Sequence, residues 1–144
     1  MTADMFLELG IESMDNEHRD LIALFDDFAR CIKQGASAEQ AHAIVSAAIK
    51  CANAHFEHEE ALAAQADYPE IEVEKFHHRN LRLQFTTLVG DTVTNKICDI
   101  VTLEHLKVMR ALLDEHISGP DKDLADYLKA SGHNEADAAK QSLA

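Results

Sequence analysis

The chain has 144 residues, is 47% hydrophobic and carries a formal net charge of −13. This fits one domain with enough apolar content for a core, and a surface that repels phosphate backbones and anionic lipid, so nucleic acid and membranes are excluded as partners. No apolar run approaches the roughly 18 residues of a membrane span, and the opening MTADMFLELG has no signal-peptide pattern. Cys31, Cys51 and Cys98 are scattered without CxxC spacing, which points to a reducing, cytoplasmic setting rather than a disulfide framework.

With 5 Gly and 2 Pro, punctuation for strands is scarce, and the apolar periodicity predicts helices throughout. Over 14–33, Leu21, Ile22, Phe25, Phe28, Ala29 and Ile32 form one stripe that also carries His18, and Gly35 closes the helix. Ser37-Ala-Glu-Gln40 has capping-box form and opens a second helix to about Asp67, with His55 and Glu59 on the face of Ile44, Ala48, Ala52 and Leu62. Tyr68-Pro69 stops it. A third helix starts near Pro69 or Glu70, with Glu74 and His78 in line with Ile71, Leu81, Phe85 and Leu88, and a turn or frayed end is expected over Gly90 to Asn95. A fourth covers about 97–117, aligning Leu106, Met109, Leu113 and His116. Ser118-Gly119-Pro120 is expected to break it before a short fifth helix over 121–131. The expectation is an all-α, antiparallel up-down four-helix bundle with a short N-terminal arm and a short C-terminal helix. It forms a single domain over 1–144, with its core at about 10–131 and a polar tail over 132–144.

Histidine is the unusual component, at 9 residues. Each long helix sets a metal-capable residue in its apolar stripe: His18, then His55 with Glu59, then Glu74 with His78, then His116. Pairs four apart share one face of a helix, and Asp121, just past the expected break, can fold back toward them. A single His on an apolar face is ordinarily a core residue, and Glu59 and Glu74 both lie in acidic runs that suit a solvated face or a helix start. Their coincidence on four separate stripes favours a metal site. Buried carboxylates and imidazoles need a partner that repays their desolvation. Four imidazoles and three carboxylates suit a pair of six-coordinate irons, or manganese, and exceed what one tetrahedral zinc uses. His42, His58, His105 and His133 point elsewhere or lie too far along their helices, and His77 stays ambiguous beside His78.

The segments GIESMDNEHRDLI, HFEHEEALAAQADYP and LLDEHISGPD resemble the bacterial hemerythrins, bundles that bind oxygen at a non-haem di-iron centre with an oxo or hydroxo bridge. The resemblance spans about residues 10–131 and rests on Asp15-x-x-His18, His55-Phe56-x-x-Glu59-Glu60 and His116-Ile117-x-x-x-Asp121. It implies that His18 and His55 bind the iron that is open to oxygen and His78 and His116 the other, with Glu59 and Asp121 bridging. Phe56, Leu113 and Ile117 would line an apolar pocket over the open site. The family's third helix usually carries His-x-x-x-His, where this chain reads Glu74-x-x-x-His78. Shifting the pair to His77 would need Val73 to ligate, so Glu74 is assigned to the iron of His78 and His116.

Replacing a neutral imidazole by a carboxylate lowers the charge of the centre by one unit, which favours the ferric state. The expected function is dioxygen binding for storage, delivery or sensing, with easier autoxidation. A di-iron oxidase or peroxidase, or an enzyme that handles nitric oxide, is the alternative, and a structural bundle or iron depot is the third. The ligand is dioxygen or another small diatomic, and the sequence specifies no electron donor.

Overall fold

The computed structural model describes residues 7–93 and 100–132. Regular structure among the described residues is helical: α1 (Glu12–Lys33), α2 (Ala38–Gln65), α3 (Ile71–Val93), α4 (Ile100–His116), a π-helical turn (Ile117–Asp121) and α5 (Lys122–Ala130). None of these helices is long and apolar enough to cross a membrane. Cys98, His133 and the polar tail beyond it lie outside the described residues, while Cys31 and Cys51 are half-buried free thiols.

Local chemistry sets the helix ends. At the start of α1 the buried Asp15 carboxylate accepts the N–H groups of Leu9 (2.8 Å) and Gly10 (3.1 Å). Gly10 sits at φ +89°, a conformation glycine adopts without steric cost. Asp15 thereby pins the incoming segment, and α1 begins two residues earlier than the periodicity predicts. The capping box of α2 forms as read: the Gln40 N–H donates to Ser37 Oγ, and the Ser37 N–H donates to Gln40 Oε1. At the other end α2 stops at Gln65, before Tyr68-Pro69, because Asp67 turns the chain at φ 53°. Aspartate tolerates this left-handed region better than most residues.

Two expectations fail. Of the turn or frayed end expected over Gly90 to Asn95, the turn is absent as far as Val93, because α3 runs through it, and residues 94–95 lie outside the described set. One glycine costs a helix about 1 kcal/mol, too little to end one anchored by the buried Leu81 and Phe85. The second failure is the break at Ser118-Gly119-Pro120. The chain stays helical there and widens into the π turn. Proline lacks an N–H, and its ring collides with the carbonyl four residues back. Opening the turn to i→i+5 spacing relieves both problems without ending the helix.

In the assembled bundle α2 packs against α1 and α3, and α4 against α3 and α1, so the four long helices close a ring. Met14, Leu21, Phe25, Phe28, Phe56, Leu62, Phe85, Met109 and Leu113 fill it. α5 adds Leu124 and Leu128 to the same core and is tied across one end. The Tyr127 hydroxyl donates to the Ala66 carbonyl (2.9 Å), and Lys129 Nζ donates to the Leu9 carbonyl (2.7 Å).

Candidate metal centre

His18, His55, Glu59, Glu74, His78, His116 and Asp121 are all at most 1% exposed. They form two groups: His18, His55, Glu59 and Asp121 in one, and Glu59, Glu74, His78, His116 and Asp121 in the other. Each group contains one imidazole pair set edge to face, with ring centroids 4.6 Å apart for His18–His55 and 4.9 Å for His78–His116.

Glu59 and Asp121 belong to both groups, and each divides its two oxygens between them. Glu59 Oε2 lies 3.3 Å from His18 Nε2 and 3.1 Å from His55 Nε2, while Oε1 lies 3.1 Å from His78 Nε2 and 3.8 Å from His116 Nε2. Asp121 Oδ2 is 3.0 Å from His18 Nε2, and Oδ1 is 2.9 Å from His116 Nε2. Glu74 Oε2 stands 3.2 Å from His78 Nε2 and 3.6 Å from His116 Nε2.

The π turn makes the Asp121 contact. In an α-helix, residues five apart are about 140° apart around the axis. One widened turn brings the fifth residue over the first, so Asp121 falls in line with His116.

Short distances here do not mean satisfied hydrogen bonds. His55 Nε2, His116 Nε2, Asp121 Oδ1 and both Glu74 oxygens are buried without a hydrogen-bond partner. Buried polar atoms are nearly always paired, and an orphan costs about 1–3 kcal/mol. These atoms aim between one another, as donors around a cation do. The set of imidazole nitrogens and carboxylate oxygens is also the right chemistry for an iron-type ion, so the residues present fit a metal.

The family model of the hemerythrin HHE cation-binding domain matches residues 9–128. The chain belongs to the hemerythrin family. No curated protein and no solved structure matches it.

In this hemerythrin domain two carboxylates that spacing alone did not single out hold imidazoles from behind. His55 Nδ1–H donates to Glu17 Oε1 (2.8 Å), and His78 Nδ1–H donates to Glu60 Oε2 (2.7 Å). Each bond fixes the tautomer and leaves Nε2 free to face the centre. His58 does not simply face away as its helix angle suggests, since its Nδ1 shares Glu17 Oε1 at 2.9 Å. No spacing marks Glu17, because its role depends on α1 meeting α2. Glu17→Ala and Glu60→Ala are each expected to lower metal affinity about 10- to 100-fold in competition with a chelator. Glu57→Ala, at an exposed position, should leave it unchanged.

The other histidines separate clearly. His42 is exposed, and His105 Nε2 is 3.2 Å from Gln84 Oε1. His77 belongs to neither group, although its ring centroid is 5.6 Å from that of His116. Phe56 stacks on His78, with centroids 4.4 Å apart and planes at 17°, while Leu113 and Ile117 are buried in the core.

Without metal this hemerythrin cluster is a proton store. Burial opposes charging His55, yet the Glu59 charge and the Glu17 contact raise its pKa to about 10. Burial likewise opposes charging His78, whose contacts with Glu59 and Glu74 raise it to about 9. Burial pushes the Glu74 carboxyl up to about 8, the charges of Asp121 and Glu59 adding to it against the opposing pull of His78. Groups with raised folded pKa values contribute stability that is complete below their unfolded values, near 6.5 for His and 4.5 for Glu, and is lost as pH rises through the folded ones. The metal-free protein should therefore melt at progressively lower temperature from about pH 6 to pH 10. The loaded protein should show a flatter profile, because the cation replaces those protons. Thermal melts of both forms across this range check the difference, and parallel slopes would refute it.

Proposed function

We propose that this hemerythrin-family chain is a di-iron protein that binds dioxygen or another small diatomic molecule for storage, delivery or sensing, and that Glu74 makes its reduced form easy to oxidise. The observation that carries the reading is the sharing of Glu59 and Asp121, each with one oxygen toward either imidazole pair. A bound iron pair would supply the two electrons that oxygen takes up. His18 and His55 would hold one iron, and His78, His116 and Glu74 the other. The first group has four protein donors and the second five. With one protein donor fewer, the first group would be the one to leave a position for an outside ligand.

Phe56, Leu113 and Ile117 would exclude water around that position. All three are buried; the Phe56 ring stacks on His78, and its centroid lies 5.8 Å from that of His55. The up-down antiparallel arrangement is supported by the level of the donors. They sit early in α1, late in α2, early in α3 and at the end of α4, so alternating chain directions bring them to one height. The half-buried free thiols Cys31 and Cys51 suit a cytoplasmic setting.

The second reading, an oxidase, a peroxidase or a nitric-oxide-handling enzyme, draws on the same Glu74 carboxylate, whose charge favours the oxidised metal. Iron analysis with optical spectra before and after exposure to oxygen tests the proposal. Two irons per chain and a near-ultraviolet charge-transfer band in the oxidised form are expected. Less than about one iron in a fully iron-supplied preparation would overturn it. Sustained oxygen consumption with an added reductant would favour the enzyme.

A further inference from the structure

Among the described residues, two cavities reach the buried cluster from outside, and their walls differ in charge. One, of about 330 Å³, ends on His116 and is lined by Leu81, Leu83 and Leu112, by His77 and by amide side chains, with Glu115 its one carboxylate among the described residues. The other, of about 250 Å³, lies between the start of α3 and the π turn, and Glu70, Glu74 and Asp123 give it three carboxylates. Glu70 and Asp123 are exposed at its rim. Glu74 is the inner wall, its side chain 1% exposed and both oxygens without a hydrogen-bond partner.

We propose that the acidic cavity is the port through which the metal cation reaches the centre, with Glu70 and Asp123 drawing it in and the unpartnered Glu74 carboxylate receiving it. The proposal rests on the reading of the cluster as a metal centre and adds how it is filled. A buried site closed by four packed helices needs a way in for a hydrated ion. A cleft of one charge sign between low-dielectric walls concentrates counter-ions and raises association rates. Glu74 suits the transfer because it lines the cavity while its Oε2 stands 3.2 Å from His78 Nε2. A cation held there is one step from the imidazoles. The leucine-lined cavity offers no comparable succession of oxygen donors.

The test is the rate of loading. Metal-free protein is mixed with cobalt(II) chloride in a stopped-flow instrument at about 0.01 M ionic strength, where charges act over roughly 30 Å, and uptake is followed by the visible absorption of the bound ion. The double variant Glu70→Gln/Asp123→Asn should load on the order of fivefold more slowly than wild type. The gap should close in 0.5 M salt, and the final cobalt content should be unchanged. Glu39→Gln/Glu104→Gln makes the same change of net charge at exposed positions. On their helices these lie about 24 Å before His55 and about 18 Å before His116, and this variant should load within about twofold of wild type. Equal slowing by both double variants, or no slowing by the first, would overturn the port alone. A wild-type chain that retains neither cobalt nor iron would overturn the centre and the port with it.

Discussion

Stripping the metal with a strong chelator is expected to lower the melting temperature of this hemerythrin domain by about 15 °C or more. On the proposed two-iron reading, ions held at about 1,000 times their dissociation constants contribute about 4 kcal/mol each by linkage. A domain of this size loses roughly 2–4 °C per kcal/mol. The structural cause is the buried set of four imidazoles and three carboxylates, several of whose atoms have no partner among the protein groups. Calorimetry on loaded and stripped protein, with metal content measured on both, reads the difference directly, and coincident melts would contradict it. Glu59→Ala should be the most damaging single change at the centre, because its oxygens face both imidazole pairs. It should lose the bound metal and most of the linked stability. His42→Ala, at an exposed position, should change neither.

On the proposed oxygen-binding function, Glu74→His is expected to lengthen the lifetime of the coloured oxygen complex by about tenfold or more. A unit charge about 4 Å from a metal is worth about 4 kcal/mol at an effective dielectric near 20. Only about 1.4 kcal/mol of that, expressed as a barrier to electron loss, gives a factor of ten. The substitution removes one negative charge from the wall that faces His78 and His116. Stopped-flow mixing of reduced, iron-loaded protein with oxygen follows the visible absorption as it rises and decays, and iron analysis of the variant confirms an occupied centre. Equal lifetimes in two fully loaded proteins would mean that the charge of Glu74 does not tune this iron.

Much of this molecule can be read from local patterns. The stripe Leu21, Phe25, Phe28, Ile32 specifies α1, and Ser37 with Gln40 specifies the start of α2, because helical periodicity and capping involve residues within one or two turns. The seven clustered residues are legible for the same reason. Spacings of four along a helix place His55 with Glu59 and Glu74 with His78 on common faces, and the family motifs supply the others.

What tertiary structure alone decided lies in contacts between helices and in one backbone adjustment. Glu17 and Glu60 became imidazole anchors only when α1 met α2 and α2 met α3, and no spacing within one helix encodes such a meeting. The alignment of Asp121 with His116 depends on how the chain accommodates Pro120. Local rules predict a break there, but the packed α5, with Leu124 and Leu128 in the core, holds the segment helical. The strain is then released by widening one turn, and that widening brings the second shared carboxylate to the centre.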